Sequence, residues 1–285
     1  MRLTALVPAT AANLGPGFDC FGLALDLCNE VTADTDATGV TWEGEGTDEL
    51  PTDGSDLVSR SLAETARRFD AQVPSVGLHG VNRIPVERGL GSSAAAVVAG
   101  VALANALGEI GLEPTDVLEV AADLDGHPDN AAAAVFGGFT VVLRERLVAR
   151  FDPDPTLRPV LLVPTDARVS TEEARRILPA IVARADAIAN AGHAALTALA
   201  LLHEPGLLPS AMRDRLHEDA RLALVPEVRS TFDALRGNGV AVCVSGSGPT
   251  LLAFDDGHAP IPDPGDGWRV LRVGIRSTGV EILAG

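Results

Sequence analysis

The run from Ser92 to Leu107 places apolar or small side chains on nearly every face of a helix, and Gly108 closes it. A helix that is apolar all round has no solvent face and must be enclosed by other elements. The chain therefore has to build layers around this segment. What precedes it is equally restrictive. Gly89-Leu90-Gly91-Ser92-Ser93-Ala94-Ala95 brings flexible backbone to a helix start, where unsatisfied N–H groups and the positive end of the helix dipole favour an anion such as phosphate. Ser92 and Ser93 can serve there as N-caps or as hydroxyl contacts to phosphate or Mg2+. No Gly-Lys-Ser/Thr follows, so this is not a Walker A loop, and the spacing does not fit a dinucleotide fingerprint.

Composition narrows the chemistry. The 285 residues include 39 acidic and 22 basic side chains, a formal charge of −17, and every basic side chain is arginine. Without lysine there is no Schiff base and no lysine-assisted phosphate loop; bound phosphate has to rely on backbone N–H groups, arginine or a metal ion. The negative surface disfavours nucleic acid and anionic membranes as partners. Cys20, Cys28 and Cys243 have no metal-type spacing and are odd in number, which points to a reducing compartment. No uninterrupted apolar run resembles a membrane span, and Met1 to Pro8 lacks the apolar core of an export signal. Cytoplasmic localisation is the expectation.

Period and turn signals predict an α+β chain of two domains, residues 1–153 and 154–285, divided at Asp152-Pro153-Asp154-Pro155. Strands are expected at Leu3 to Val7, near Cys20 to Leu25, from Gly138 to Leu143, and at Val160 to Val163 and Val240 to Val244. A last pair is expected at Val270 to Ile275 and Val280 to Leu283. Helices are expected from Asp56 to Phe69, Pro114 to Gly126, after Pro128, from Thr171 to His203 with a break at Pro179, and from Glu227 to Arg236. Asp255 to Gly267 reads as an irregular loop.

Three further stretches set polar groups beside turn residues inside apolar sequence: Asn13-Leu14-Gly15-Pro16-Gly17-Phe18-Asp19, Asp123-Leu124-Asp125-Gly126-His127-Pro128-Asp129-Asn130, and Ser245-Gly246-Ser247-Gly248-Pro249-Thr250. Buried polar clusters need partners. Asn13 and Asp19 can bond their own turn or a ligand. His127 reads as a core histidine or a ligand contact, Asp123 and Asp125 as solvated helix residues or as carboxylates in a site. The last stretch can form a hairpin or pack on another loop's backbone.

At these residues the chain resembles the GHMP kinase superfamily of small-molecule alcohol kinases. Its three motifs occur in order, from Pro8-Ala9-Thr10 through Asp19, from Pro85 to Ala95, and from Ser245 to Thr250, and the resemblance spans essentially the whole chain. Three details resemble the branch that acts on L-homoserine: the stretch from Pro8 to Asp19, Gly126-His127-Pro128-Asp129-Asn130, and Val169-Ser170-Thr171-Glu172-Glu173-Ala174-Arg175. The resemblance implies an N-terminal domain like domain 2 of ribosomal protein S5, a ferredoxin-like C-terminal domain, and Mg2+ and ATP in the cleft between them. The partners it implies are L-homoserine and ATP, with a homodimer as the assembly to test for. Another alcohol substrate, or a non-catalytic ligand sensor on the same scaffold, are the alternatives.

The same resemblance implies roles for matching positions. Pro85, Val86, Glu87, Arg88, Gly89, Leu90, Gly91, Ser92, Ser93, Ala94 and Ala95 correspond to the ATP-binding loop, with Asp56 near adenine. Asn13, Asp19, His127, Asp129, Asn130 and Thr171 correspond to homoserine contacts. Arg175 and Arg221 correspond to the carboxylate binders, a task that suits a forked guanidinium. Asn130, Asp19 and Arg175 are the expected catalytic group, and Ser93 and Asp123 the expected metal ligands. Asp123 is one methylene shorter than the superfamily's glutamate. Asp56 replaces a usual asparagine, Asp219-Ala220 replace Pro-Tyr before Arg221, and the loop from Asp255 replaces a helix. Mevalonate-type relatives carry a catalytic aspartate where this chain has Asn130, so no general base is assigned.

Overall fold

The structure, a computed structural model, describes residues Met1–Gly285. Its first half comprises β1 (Arg2–Ala12), β2 (Phe21–Asp34), β3 (Val40–Gly44), α1 (Leu57–Arg68), β4 (Gly77–Asn82), α2 (Ser92–Leu107), α3 (Pro114–Asp125), α4 (Pro128–Phe136), β5 (Phe139–Val142) and β6 (Val148–Phe151). There follow β7 (Pro159–Pro164), α5 (Thr171–Arg176), α6 (Arg184–Leu202), α7 (Leu208–Ala211), α8 (Glu218–Ala223), α9 (Pro226–Gly237), β8 (Ala241–Val244), β9 (Leu251–Phe254), β10 (Trp268–Arg272) and β11 (Glu281–Ala284).

The apolar segment behaves as its composition demands. From Ala94 to Leu107 most of α2 is buried, enclosed by α1, α3, α4 and the first sheet. A side chain at Gly100 would meet the Val58 carbonyl oxygen at 2.5 Å, so this glycine lets α1 and α2 approach backbone to backbone. The first sheet runs β11-β1-β2-β4-β3, with β5 and β6 continuing from the other half of β2. All its pairings are antiparallel except β3 with β4.

The second sheet, β10-β7-β9-β8, is antiparallel throughout. Taken from β7, its strands lie in the order 4-1-3-2 of a ferredoxin-like unit. The second helix of that unit is reduced to a loop without helix or strand between β9 and β10, as expected from its Asp, Pro and Gly content.

Two expectations need correcting. The terminal strand does not belong to the second domain: Leu3 to Leu6 of β1 pair with Ala284 back to Glu281 of β11, so the chain returns to the first sheet. Alternation marks a strand but does not say which edge receives it. Secondly, α6, with 19 residues and a mean hydropathy of 1.3, is by length and composition apolar enough to cross a membrane. It is nonetheless docked in this fold, with Asn190, Thr197, Ala200 and Leu201 buried and the Asn190 amide donating to the Pro16 carbonyl at 2.8 Å.

Candidate active site

A cleft of about 470 Å3 opens where the start of α2 faces the second domain, a size usual for small-molecule sites. Gly91 caps α2 in the left-handed region, φ 68°, without a side-chain cap, so the first N–H groups of an otherwise buried helix are left for a ligand. The loop's shape is imposed from behind. The Ser245 hydroxyl donates to the Gly89 carbonyl at 2.7 Å, and a Cβ on Gly89 would meet the Ser245 carbonyl oxygen at 2.2 Å. Thr10 N–H donates to the Leu90 carbonyl at 3.1 Å. The segment from Pro8 to Asp19 and the one from Ser245 to Thr250 thus clamp the Gly89 to Gly91 loop between them.

Most of the expected nucleotide loop lines the cleft, from Val86 to Ser93 with Ala95; Pro85 and Ala94 are buried behind it. Arg88 spans the domains, donating to the Pro164 and Thr165 carbonyls at 3.2 and 2.8 Å. Asp56 lines the cleft, but its carboxylate is engaged as the N-cap of α1, accepting from Ser59 N–H at 2.9 Å and the Ser59 hydroxyl at 2.6 Å. The apolar wall beside it was not foreseen. Trp42, Leu50, Pro51 and Val58 line that end, with the indole N–H donating to the Pro51 carbonyl at 2.8 Å. The Trp42 ring lies over Gly80, where a Cβ would come within 2.3 Å of it.

All eight residues expected to hold the second substrate line the same cleft: Asn13, Asp19, His127, Asp129, Asn130, Thr171, Arg175 and Arg221. Asn13 holds the turn: its side chain donates to the Gly246 carbonyl and accepts from Asp19 N–H. Asn130 Oδ1 accepts the Thr10 hydroxyl at 2.8 Å. Arg175 Nη2 lies 2.9 Å from Asp19 Oδ1 and 3.1 Å from His127 Nδ1. Asp129, buried and facing Asp19, has its pKa pushed up to about 6, chiefly by burial. Burial also lowers that of Arg221, to about 10, which leaves it a cation at neutral pH.

Asp123 is where the reading from sequence fails. It lies on the outer face of α3, in ion pairs with Arg68 at 2.8 Å and Arg146 at 2.5 Å, and it does not line the cleft. Those pairs hold its pKa below the ordinary carboxylate value. Asp125 does not line the cleft either, but it sits behind its wall beside Ser93 and His127, with Oδ2 buried and without a hydrogen-bond partner. Burial raises its pKa, while the neighbouring His127 and the Ser93 hydroxyl oppose the rise. A buried carboxylate oxygen left unpaired next to a hydroxyl, at a phosphate-type helix start, suits a hard cation that takes oxygen ligands.

Comparison with known proteins agrees with this geometry. Residues 56–138 match the family model for the GHMP kinases N terminal domain, and residues 195–261 that for the GHMP kinases C terminal. The homoserine kinase of Streptomyces avermitilis is 41% identical over 97% of this chain and 94% of its own. That of Clavibacter michiganensis is 42% identical over 99% and 87%. The crystal structure of homoserine kinase from Cytophaga hutchinsonii superposes with a TM-score of 0.85 at 28% identity, covering 99% of this chain and 97% of that one. A mevalonate kinase structure, at 10% identity and a TM-score of 0.70, shares the fold.

Proposed function

This chain belongs to the GHMP kinase family, and we propose that it uses ATP to phosphorylate the side-chain hydroxyl of L-homoserine, giving O-phospho-L-homoserine for threonine biosynthesis in the cytoplasm. The observation that carries the reading is the charge layout of one cleft. An uncapped helix start lies at one end, and Asp19 and Asp129 lie beside Arg175 and Arg221 at the other. A zwitterionic amino acid needs both signs, carboxylates for its ammonium and forked donors for its carboxylate. ATP would lay its phosphates on the Gly89 to Ser93 backbone and its base against the wall formed by Trp42 and Leu50.

The residues present fit a magnesium ion. Ser93 and Asp125 would hold it, and magnesium keeps waters and phosphate oxygens for its other positions. Bound there, it would neutralise charge on the terminal phosphates. The chain's own part is positioning. Thr10 fixes the Asn130 amide beside Gly91, where it would orient the homoserine hydroxyl for in-line attack. Phosphoryl transfer depends mainly on alignment and charge stabilisation, so no strong base is required.

The test is ADP release with L-homoserine set against other hydroxylated substrates, such as mevalonate and galactose. Homoserine should give the highest kcat/KM. Preference for another alcohol would overturn the substrate, and ATP binding with no turnover of any alcohol would favour the sensor.

A further inference from the structure

Of the two arginines proposed to bind the substrate carboxylate, Arg221 is the more enclosed, at 4% exposure, and its protein bonds all leave from one nitrogen. Nη1 donates to the Gly246 carbonyl at 2.6 Å and points at His217 Nδ1 at 3.1 Å, while Nε has no partner. His217, the N-cap residue of α8 four positions earlier, is 1% exposed and has no surface in the cleft.

The protonation of the ring follows from its neighbours. Nε2 is 2.8 Å from the Gly15 carbonyl oxygen, which can only accept, so Nε2 carries the hydrogen and Nδ1 is left with a lone pair for the guanidinium. Burial, the largest influence, holds the pKa of His217 down to about 4, so the ring stays neutral. Phe18 fixes its plane: the two rings stack at 5.0 Å with 27° between planes, and the Arg221 guanidinium lies 5.3 Å from the Phe18 centroid. Asp214 fixes its backbone, Oδ2 accepting the N–H groups of Leu216, His217 and Glu218 at 2.7 to 2.9 Å.

From this arrangement we infer that His217 is a positioning residue for substrate recognition: its Nδ1 lone pair holds the Arg221 fork in the orientation that receives the carboxylate of homoserine. The inference rests on the proposed role of Arg221. A free arginine side chain must freeze several rotors to bind a carboxylate in two places; one already held on one nitrogen loses less on binding.

Two substitutions separate this from simple packing. In His217→Asn the amide oxygen stands near Nδ1, which keeps the acceptor for Arg221 and loses the donor to Gly15. In His217→Gln the amide nitrogen can reach the Gly15 carbonyl, but the acceptor at Nδ1 is gone. The expected result is a homoserine KM raised roughly tenfold or more in His217→Gln and by less than about threefold in His217→Asn, as for loss of a charge-assisted bond. In both variants the ATP KM and the kcat at saturating homoserine should stay near wild type. Adding His217→Gln to Arg221→Gln should cost nothing further, because the two act as one unit.

The inference is overturned if His217→Gln leaves the homoserine KM unchanged, if His217→Asn raises it equally, or if both raise the two KM values in parallel with a falling Tm. Arg221→Gln guards the premise. If that change leaves the homoserine KM alone, the carboxylate role itself is wrong; if it raises the KM while His217→Gln does not, only the positioning role falls.

Discussion

The Arg175 guanidinium grips the Asp19 carboxylate with both terminal nitrogens, at 2.9 and 3.3 Å, across the mouth of the cleft. The group proposed for the substrate carboxylate and one proposed for its ammonium therefore neutralise each other. Homoserine bound as proposed would exchange one ion pair for two. Both side chains are about 40% exposed, 40% for Arg175 and 42% for Asp19, so the internal pair is screened and its exchange costs little. Arg175→Ala should raise the homoserine KM by roughly ten- to a hundredfold, the value of a charge-assisted bond, with the ATP KM unchanged. Arg175→Lys should recover little, because an ammonium cannot fork. A wild-type homoserine KM in Arg175→Ala would sink the assignment.

Asp125 and Asp123 make a matched pair on one helix. Asp125→Asn should lower kcat roughly a hundredfold or more and weaken its Mg2+ dependence, since a ligand that neutralises phosphoryl charge supplies several kcal/mol. Asp123→Asn should leave kcat within about twofold, and its lost surface pairs should cost at most about 1 kcal/mol of stability. Titrating Mg2+ against kcat for both variants decides; the reverse ranking would return the ligand to Asp123.

That reversal was legible, and it shows where reading the sequence stops. In α3 the buried positions include Val117, Leu118, Val120, Ala121 and Ala122. Asp125 stands four residues after Ala121, on that inner face, whereas Asp123 stands four after exposed Glu119. The resemblance to the family points to Asp123, the helix period to Asp125. The phosphate loop was readable because its glycines and the apolar helix after it are local signals. The Trp42 wall was not, because it depends on parallel pairing of β3 with β4, in which Trp42 opposes Gly80; short strands rich in glycine carry no signal of their partner. Asp56-x-x-Ser59 is an N-cap pattern, and the cap is what the structure shows.

Gly91 is constrained by more than its proposed contact with phosphate. A Cβ there would stand 2.0 Å from Thr10 Oγ1 and 3.1 Å from Asn130 Oδ1, on the hydrogen bond that orients Asn130. Its φ of 68° adds a left-handed penalty of roughly 1–2 kcal/mol for any other residue. Gly91→Ala should therefore lower Tm by several degrees and kcat by at least about tenfold, while Thr10→Val should lose kcat with a smaller fall in Tm. Equal Tm for wild type and Gly91→Ala would mean the loop is free to move away, and the positioning of Asn130 by Thr10 would have to be abandoned.

Glu218 gives the fold a pH dependence of defined sign. It is buried at the first position of α8, with Oε1 accepting Val244 N–H at 2.9 Å and Oε2 facing Arg236 Nη2 at 3.1 Å. Burial outweighs the attraction of Arg236 and raises its pKa from 4.5 to about 7. The folded protein thus keeps a proton that the unfolded chain releases above the ordinary glutamate value. The stability this lends is complete below pH 4.5 and is lost as the pH rises through about 7, a change on the order of 3 kcal/mol. Asp129, raised from 3.8 to about 6, acts in the same direction. His217, lowered from 6.5 to about 4, acts oppositely: its contribution is present above pH 6.5 and lost as the pH falls through 4. Glu218→Gln keeps the acceptor for Val244 N–H and cannot ionise, so its unfolding free energy should decline less than that of wild type between about pH 5 and pH 8. The lost contact with Arg236 adds a constant offset and leaves the slopes comparable. Urea unfolding of both proteins at several pH values in that window measures the difference, and parallel curves would mean that Glu218 is ionised in the folded state, paired with Arg236 throughout.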